Sequence, residues 1–269
     1  MLTVEPSARD PYERLRETKL FVLDMDGTIY LGDRVFPEAL SFVKEARERG
    51  RQVLFFTNNA SRDPQTYVDR LNGMGFPVTR KDIATSADVT IAYLKLHHPG
   101  EPVYLVGTKA LEKQFLEEGI PLSEDAKIVM VSFDLELTYE KLRIAVNLIR
   151  SGALFYSTHP DFVCPVPDGV LPDSGCLCAA VTACTGVEPR YFGKPYRETA
   201  DMIEVLYGVP KDFTAVVGDR LYTDIALGKK NGLLSVLVLT GETALSDLTE
   251  ENRADIVLDH IGQIIPYLD

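Results

Sequence analysis

Short apolar, β-rich runs recur along this chain, and a stretch of helical character follows nearly every one. The runs fall at residues 20–23, 52–56, 103–106, 128–133, 154–157, 215–217 and 235–239. Several are apolar throughout rather than alternating, as strands are when both faces of a parallel sheet are covered. Helices are predicted at 38–49, 64–74, 87–97, 109–118, 139–150, 175–185, 197–207 and 224–230. Asp63 before Pro64 reads as an N-cap with proline at the first helical position. Gly50, Gly208 and Gly232 sit just past helix ends. This alternation predicts an α/β fold built on a parallel sheet.

Charge narrows the function classes. The chain carries 28 basic and 40 acidic residues, a net charge of −12. Such a surface repels nucleic-acid phosphates at long range, so no nucleic-acid partner is expected. A small phosphorylated substrate stays allowed, because one bound cation and one lysine reverse the local field. The N-terminal stretch MLTVEPSARDPYERLRETK is polar, without an apolar segment of signal-peptide type. No apolar run nears the roughly 20 residues of a membrane span. The 4 cysteines are too few for a disulfide scaffold in a chain of 269 residues. The expectation is a reduced, cytoplasmic protein with no membrane partner.

The ends of the apolar runs carry the chemistry. Leu20-Phe21-Val22-Leu23 runs straight into Asp24-Met25-Asp26-Gly27-Thr28. Sites in open α/β sheets form at the carboxyl ends of strands, and a carboxylate there can hold a hard cation or act as a nucleophile. The plain alternative is an acidic strand-to-loop turn. The run 53–56 ends in Thr57-Asn58-Asn59, whose hydroxyl and backbone N–H groups suit phosphate oxygens but also make good turn chemistry. Lys194 sits between Gly193 and Pro195, where the backbone is constrained; otherwise it is a solvated surface charge. Ala215-Val216-Val217 meets Gly218-Asp219, with Asp224 five residues on. Asp219 is placed as an oxygen ligand. Asp224 orients the lysine or a ligand from behind, or caps the following helix.

Together these strand ends resemble the haloacid dehalogenase superfamily of phosphotransferases, whose motifs match as DMDGT, the Thr57 strand end, Lys194 and GDRLYTD. The resemblance spans nearly the whole chain. The long stretch between Thr57 and Lys194 has room for an inserted domain, as in the NagD-like phosphatases, which include the 4-nitrophenyl phosphatases. DMDGTIYLG, FFTNNAS, Phe133-Asp134 with the following LTYEKL, and Pro172 with Gly175 are further matches. The resemblance implies a Rossmann-like, doubly wound core (1–85 and 187–269) and an inserted α/β cap (86–186). It implies Asp24 as nucleophile and Asp26 as acid and base. It also implies Mg²⁺ on Asp24, the Asp26 carbonyl and Asp219, and phosphate on Thr57, Asn58, Asn59 and Lys194. The substrate implied is a small phosphate ester of sugar phosphate, phosphoglycolate, nucleotide or 4-nitrophenyl phosphate type. A homo-oligomer, dimer or larger, stays open.

The departures from the family pattern fall in the cap. The family often has Thr-Asn-x-Asp where this chain has Thr158-His159-Pro160-Asp161, and glycine where it has Asp173. The loop 161–165, with Asp161, Phe162, Val163 and Cys164, is expected to face the leaving group and choose substrates. His159 is expected to face solvent or the active site, and His97 and His98 to end a surface helix. Cys176 and Cys178 are read as buried thiols rather than metal ligands. A receiver-type phospho-switch resembles only about half this length and has adjacent acidic residues. A same-fold phosphomutase and an idle phosphate-binding protein remain as alternatives.

Overall fold

The computed structural model describes residues 9–166 and 169–269. Residues 1–8 of the polar N-terminal stretch lie outside the described residues, as do 167–168. For Pro165, the last residue of the expected 161–165 loop, and for Val166, the backbone alone is described.

In chain order, α1 (Pro11–Glu17) precedes β1 (Leu20–Leu23), and the short strands β2 (Tyr30–Leu31) and β3 (Arg34–Val35) precede α2 (Pro37–Glu48). Then come β4 (Gln52–Thr57), α3 (Pro64–Gly73), β5 (Ile83–Thr85), α4 (Ser86–His97), β6 (Val103–Val106) and α5 (Lys109–Glu117). They are followed by β7 (Ile128–Val131), α6 (Tyr139–Arg150), β8 (Leu154–Ser157), β9 (Val163–Val166), β10 (Gly169–Pro172) and α7 (Ser174–Thr185). The chain continues through β11 (Arg190–Tyr191), α8 (Arg197–Tyr207), β12 (Thr214–Gly218), α9 (Ala226–Asn231), β13 (Leu234–Val238) and β14 (Ile256–Leu258). No helix among the described residues is long and apolar enough to cross a membrane.

The chain forms two compact units. The first comprises Met1–Phe55, Met74–Phe76 and Tyr207–Asp269; the second comprises Phe56–Gly73 and Pro77–Leu206. In the first, β1 lies between β4 and β12, with Leu20 opposite Gln52 on one side and Thr214 on the other, both in parallel. Strands β13 and β14 continue outward from β12, also in parallel. The chain thus steps from β1 one way to β4 and later the other way through β12. Right-handed crossovers in opposite directions place helices on both faces, which makes the sheet doubly wound with its switch point at β1. All four β1 side chains are buried, as an apolar run covered on both faces requires.

The second unit holds a parallel sheet in the order β11-β8-β7-β6 and an antiparallel hairpin of β9 and β10. Its core packs Val106, Val129, Val131 and Phe155 against Ala145, Ile149, Cys178 and Val181 of the helices. The expected insert 86–186 lies wholly inside this unit, which is wider than the insert. The sheet itself runs past Gly186, because Arg190 and Tyr191 pair with Tyr156 and Ser157 of β8.

Candidate active site

The first unit gathers carboxylates at the switch point. Leu23 of β1 lies opposite Val217 of β12, and the Asp24 amide donates to the Val217 carbonyl at 2.9 Å. The two strands therefore release Asp24 and Asp219 from neighbouring ends. Gly27 turns the chain back with a φ of +87°, its amide donating to the Tyr30 carbonyl at 2.7 Å. A Cβ at Gly27 would lie 2.3 Å from Asp219 Oδ2, so both the turn and the space demand glycine. Thr240 Oγ1 donates to the Gly27 carbonyl at 2.6 Å and holds that turn.

Oxygens of Asp24, Asp219 and Asp224 all lie within 4.8 Å of one another. Asp219 and Asp224 are buried. Asp219 Oδ2 accepts the Glu242 amide at 2.7 Å, whereas its Oδ1 is buried with no hydrogen-bond partner. Burial and the neighbouring Asp224 charge push the Asp219 carboxyl up to about 6. Three close carboxylates, one with an orphaned buried oxygen, fit a hard, oxygen-seeking divalent cation. The Asp26 side chain is exposed and outside this cluster; its expected part in holding a cation is through its backbone carbonyl.

Asp224 does not cap a helix. It lies inside a wide helical turn, Leu221–Ile225, that precedes α9. Its Oδ2 accepts from the Arg220 amide at 3.4 Å and the Thr223 hydroxyl at 3.3 Å. A Cβ at Gly218 would come within 2.2 Å of its Cγ, so the strand-ending glycine makes room for it. Arg220, which carried no signal in the sequence beyond its place in GDRLYTD, pairs with Glu242 at 3.1 Å beside this cluster.

The second unit gathers the expected phosphate-binding residues. The side chain of Asn58, rather than its backbone, proves to be the organising group. Its Oδ1 accepts the Lys194 amide at 2.8 Å, and its Nδ2 donates to the Lys194 carbonyl and to Asp161 Oδ2, each at 3.1 Å. The Lys194 side chain is buried, with Nζ 3.4 Å from the Phe56 carbonyl and over the Phe56 ring at 5.5 Å. It is not a solvated surface charge. Thr57 Oγ1 accepts the Asn59 amide at 3.2 Å. Asn59 Oδ1 accepts both the amide and the hydroxyl of Ser61, which commits that side chain to an Asx turn.

The expected 161–165 loop is instead the entry to a hairpin. Val163 pairs with Pro172 and Cys164 with Leu171, so a strand ladder holds the segment. The prolines are tolerated because a two-stranded ribbon is all edge. Phe162 and Val163 are exposed at 57% and 50%, and Cys164 is half-buried. His159 faces neither solvent nor an open site: it is buried against Asp173, with Nε2 2.8 Å from Asp173 Oδ1. His97 and His98 end α4 as expected; His97 is exposed, whereas His98 is half-buried with its Nε2 meeting the Tyr156 hydroxyl at 3.0 Å. Cys178 is buried, whereas Cys176 is half-buried.

Carboxylates gathered at the switch point of a doubly wound sheet suit a hydrolytic enzyme that handles an anionic substrate beside a cation. Relatives narrow that class. A haloacid dehalogenase-like hydrolase family model matches residues 21–121, and a HAD-hydrolase-like model matches residues 191–264. The 5'-nucleotidase YutF of Bacillus subtilis (strain 168) is 32% identical over 256 residues, covering 94% of this chain and 100% of that protein. An acid sugar phosphatase of Staphylococcus aureus (strain USA300) is 34% identical over 242 residues, 88% of this chain and 93% of that one. The crystal structure of a 4-nitrophenylphosphatase from Thermotoga maritima superposes with a TM-score of 0.90 at 40% identity, covering 95% of this chain and 99% of that one. The chain belongs to the haloacid dehalogenase-like hydrolases, in the branch of the 4-nitrophenyl phosphatases and NagD-like proteins, and is a phosphoric monoester hydrolase.

Proposed function

We propose that this enzyme hydrolyses the phosphate monoesters of small metabolites in two in-line steps through Asp24. The observation that carries the reading is the cluster of Asp24, Asp219 and Asp224, with Asp24 at the end of β1. In the first step Asp24 attacks phosphorus, the bond to the leaving oxygen breaks, and Asp26 gives that oxygen its proton. In the second, Asp26 takes a proton from water, which attacks the phosphorus of the aspartyl-phosphate, releasing phosphate and restoring Asp24. The exposed Asp26 carboxyl is free to exchange protons with substrate and solvent.

Carboxylate and phosphate repel, so charge has to be cancelled before attack. Mg²⁺ held by Asp24, Asp219 and the Asp26 carbonyl, with Asp224 beside them, would supply that cancellation and polarise the phosphoryl oxygens. Thr57, the Asn58 amide and Lys194 are assigned to the phosphate oxygens. Positioning and charge stabilisation then carry the acceleration. Residues 86–186 carry none of the phosphoryl-handling motifs, and we assign them to substrate selection.

Nucleotidase, sugar phosphatase and 4-nitrophenylphosphatase names among the relatives support a small phosphate ester as substrate. The test is release of phosphate from 4-nitrophenyl phosphate and from a panel of sugar phosphates, phosphoglycolate and nucleotides, with Mg²⁺ and with chelator. Asp24→Asn should abolish turnover while the protein still folds and melts cooperatively. Residual turnover within tenfold of wild type would remove Asp24 as nucleophile. Phosphate moved between positions of one sugar, with none released, would make the enzyme a mutase.

A further inference from the structure

His159 is fully enclosed, and both of its ring nitrogens have close polar neighbours. Nε2 lies 2.8 Å from Asp173 Oδ1; Nδ1 lies 2.9 Å from Thr158 Oγ1 and 3.5 Å from Ser86 Oγ. The hydroxyl protons near Nδ1 are already committed. Ser86 Oγ donates to the Asn58 carbonyl at 2.5 Å, and Thr158 Oγ1 donates to Ser132 Oγ at 2.9 Å. A carboxylate can only accept, and a hydroxyl whose proton is used elsewhere offers lone pairs. Each ring nitrogen therefore faces an acceptor, and both are satisfied only when both carry protons. With both protons in place the ring is an imidazolium and Asp173 its counter-charge, the two side chains being exposed at 0% and 5%. Burial pulls His159 down, but the hydrogen bond and charge of Asp173, with the charge of Asp161, outweigh it and leave the group above its ordinary 6.5.

A continuous set of contacts leads from this cation to Lys194. Ser86, 3.5 Å from the ring, holds the Asn58 carbonyl, and the Asn58 amide group grips both backbone groups of Lys194. Asp161, two residues beyond His159, accepts the Asn58 Nδ2. Gly193 presses on the same assembly: a Cβ there would lie 2.8 Å from both His159 Cβ and Asn58 Oδ1. A buried ion pair seldom adds net stability over a well-packed apolar pair, so its presence here calls for another role.

We propose that the His159–Asp173 ion pair is a positioning device that sets Lys194 through Ser86 and Asn58, so that the charge on His159 decides whether the lysine is held to receive phosphate. The proposal rests on the assignment of Lys194 to phosphate. Among the described residues, the charges that act on His159 are Asp173 at the start of α7 and Asp161 on its own segment. His159 is a positioning residue and touches no reacting atom.

The test compares wild type, His159→Gln, Ser86→Ala and the double variant, with Asp173→Asn as a second way to remove the pair. In wild type labelled at lysine nitrogen and histidine carbon, the Lys194 amide resonance should titrate with the same midpoint as the His159 ring. It should stay flat in His159→Gln, and its amplitude should collapse in Ser86→Ala. Each single variant should weaken inhibition by inorganic phosphate about tenfold, and the double variant about tenfold rather than a hundredfold, since linked effects do not add. A Lys194 amide that ignores the His159 ring, or a hundredfold loss in the double variant, would overturn the linkage. If wild type neither turns over 4-nitrophenyl phosphate nor binds phosphate, the assignment of Lys194 fails, while the amide titration still decides the linkage. Should His159→Gln not fold, Asp173→Asn is read in its place: the Lys194 amide should follow the His159 ring to a lower midpoint, and an amide midpoint that does not move with the ring would overturn the linkage.

Discussion

Asn58 grips both backbone groups of Lys194, its Oδ1 accepting the lysine amide at 2.8 Å and its Nδ2 donating to the lysine carbonyl at 3.1 Å. The arrangement makes a short amide side chain do the work of a strand partner, and it fixes where the lysine side chain starts. Asn58→Ala removes these bonds inside a buried site, at a cost of about 1–3 kcal/mol in stability. Turnover should fall further than stability alone explains, with KM for 4-nitrophenyl phosphate raised about tenfold, or about 1.4 kcal/mol. Thermal melts and steady-state kinetics measure the two effects; an unchanged KM in a folded variant would contradict the positioning role.

The carboxylate cluster makes the metal-free protein carry its own repulsion. Burial and Asp224 hold Asp219 up to about 6, so a cation that joins these groups should stabilise the fold. Mg²⁺ at 100 times its dissociation constant should contribute about 2.7 kcal/mol by mass action and raise the Tm accordingly. Asp219→Asn should raise the Tm of the metal-free protein, abolish most of the Mg²⁺-induced rise, and increase the Mg²⁺ concentration needed for activity. Calorimetric melts in chelator and in Mg²⁺ provide the check, and an unaltered Mg²⁺ response in the variant would remove Asp219 from the site.

The His159–Asp173 pair should give stability a characteristic pH slope. A histidine raised in the folded state favours folding fully below its unfolded value, about 6.5. That contribution is lost as pH rises through the higher folded value. Denaturant unfolding from pH 6 upward should therefore show wild type losing stability relative to His159→Gln. A difference between the two that stays constant with pH would mean that the buried ring is neutral.

Phe162 and Val163 present apolar surface on the β9–β10 hairpin, exposed at 57% and 50%. Removing one apolar contact to a substrate changes its relative kcat/KM by about 1–3 kcal/mol. Substitution of Phe162, Val163 and Cys164 together should reorder the natural phosphates, with small aryl phosphates changing less. A substrate panel run on both proteins tests this. One common factor for every substrate would mean that the hairpin serves folding rather than choice.

Elements whose signals are local are legible in the amino-acid sequence. The helix over Tyr139–Arg150 has the ends expected of it, because Thr138 caps it by accepting the Lys141 amide at 3.2 Å. Asp63 caps α3 in the same way, accepting the Gln65 amide at 2.9 Å. Elements too short to show a period escape such a reading: β5 and β14 span three residues each, and β11 two. Helix α1 escapes it because its stretch reads as polar, although Asp10 caps it and Pro11 opens it. The β9–β10 hairpin is hidden by its prolines, which count against a strand unless the strand is an edge.

The same division runs through the site. The sequence by itself determined that Asp24 and Asp219 stand at strand ends, because an apolar run followed by turn chemistry is a property of adjacent residues. Only the tertiary structure decided their company. It placed Asp224 with them through a wide helical turn, spent the Asn58 side chain on the backbone of Lys194, and set His159 against Asp173. Asn58 and Lys194 alone lie 136 residues apart in the chain. They meet because parallel strands need long crossovers, and buried polar groups take whichever partners those crossovers deliver.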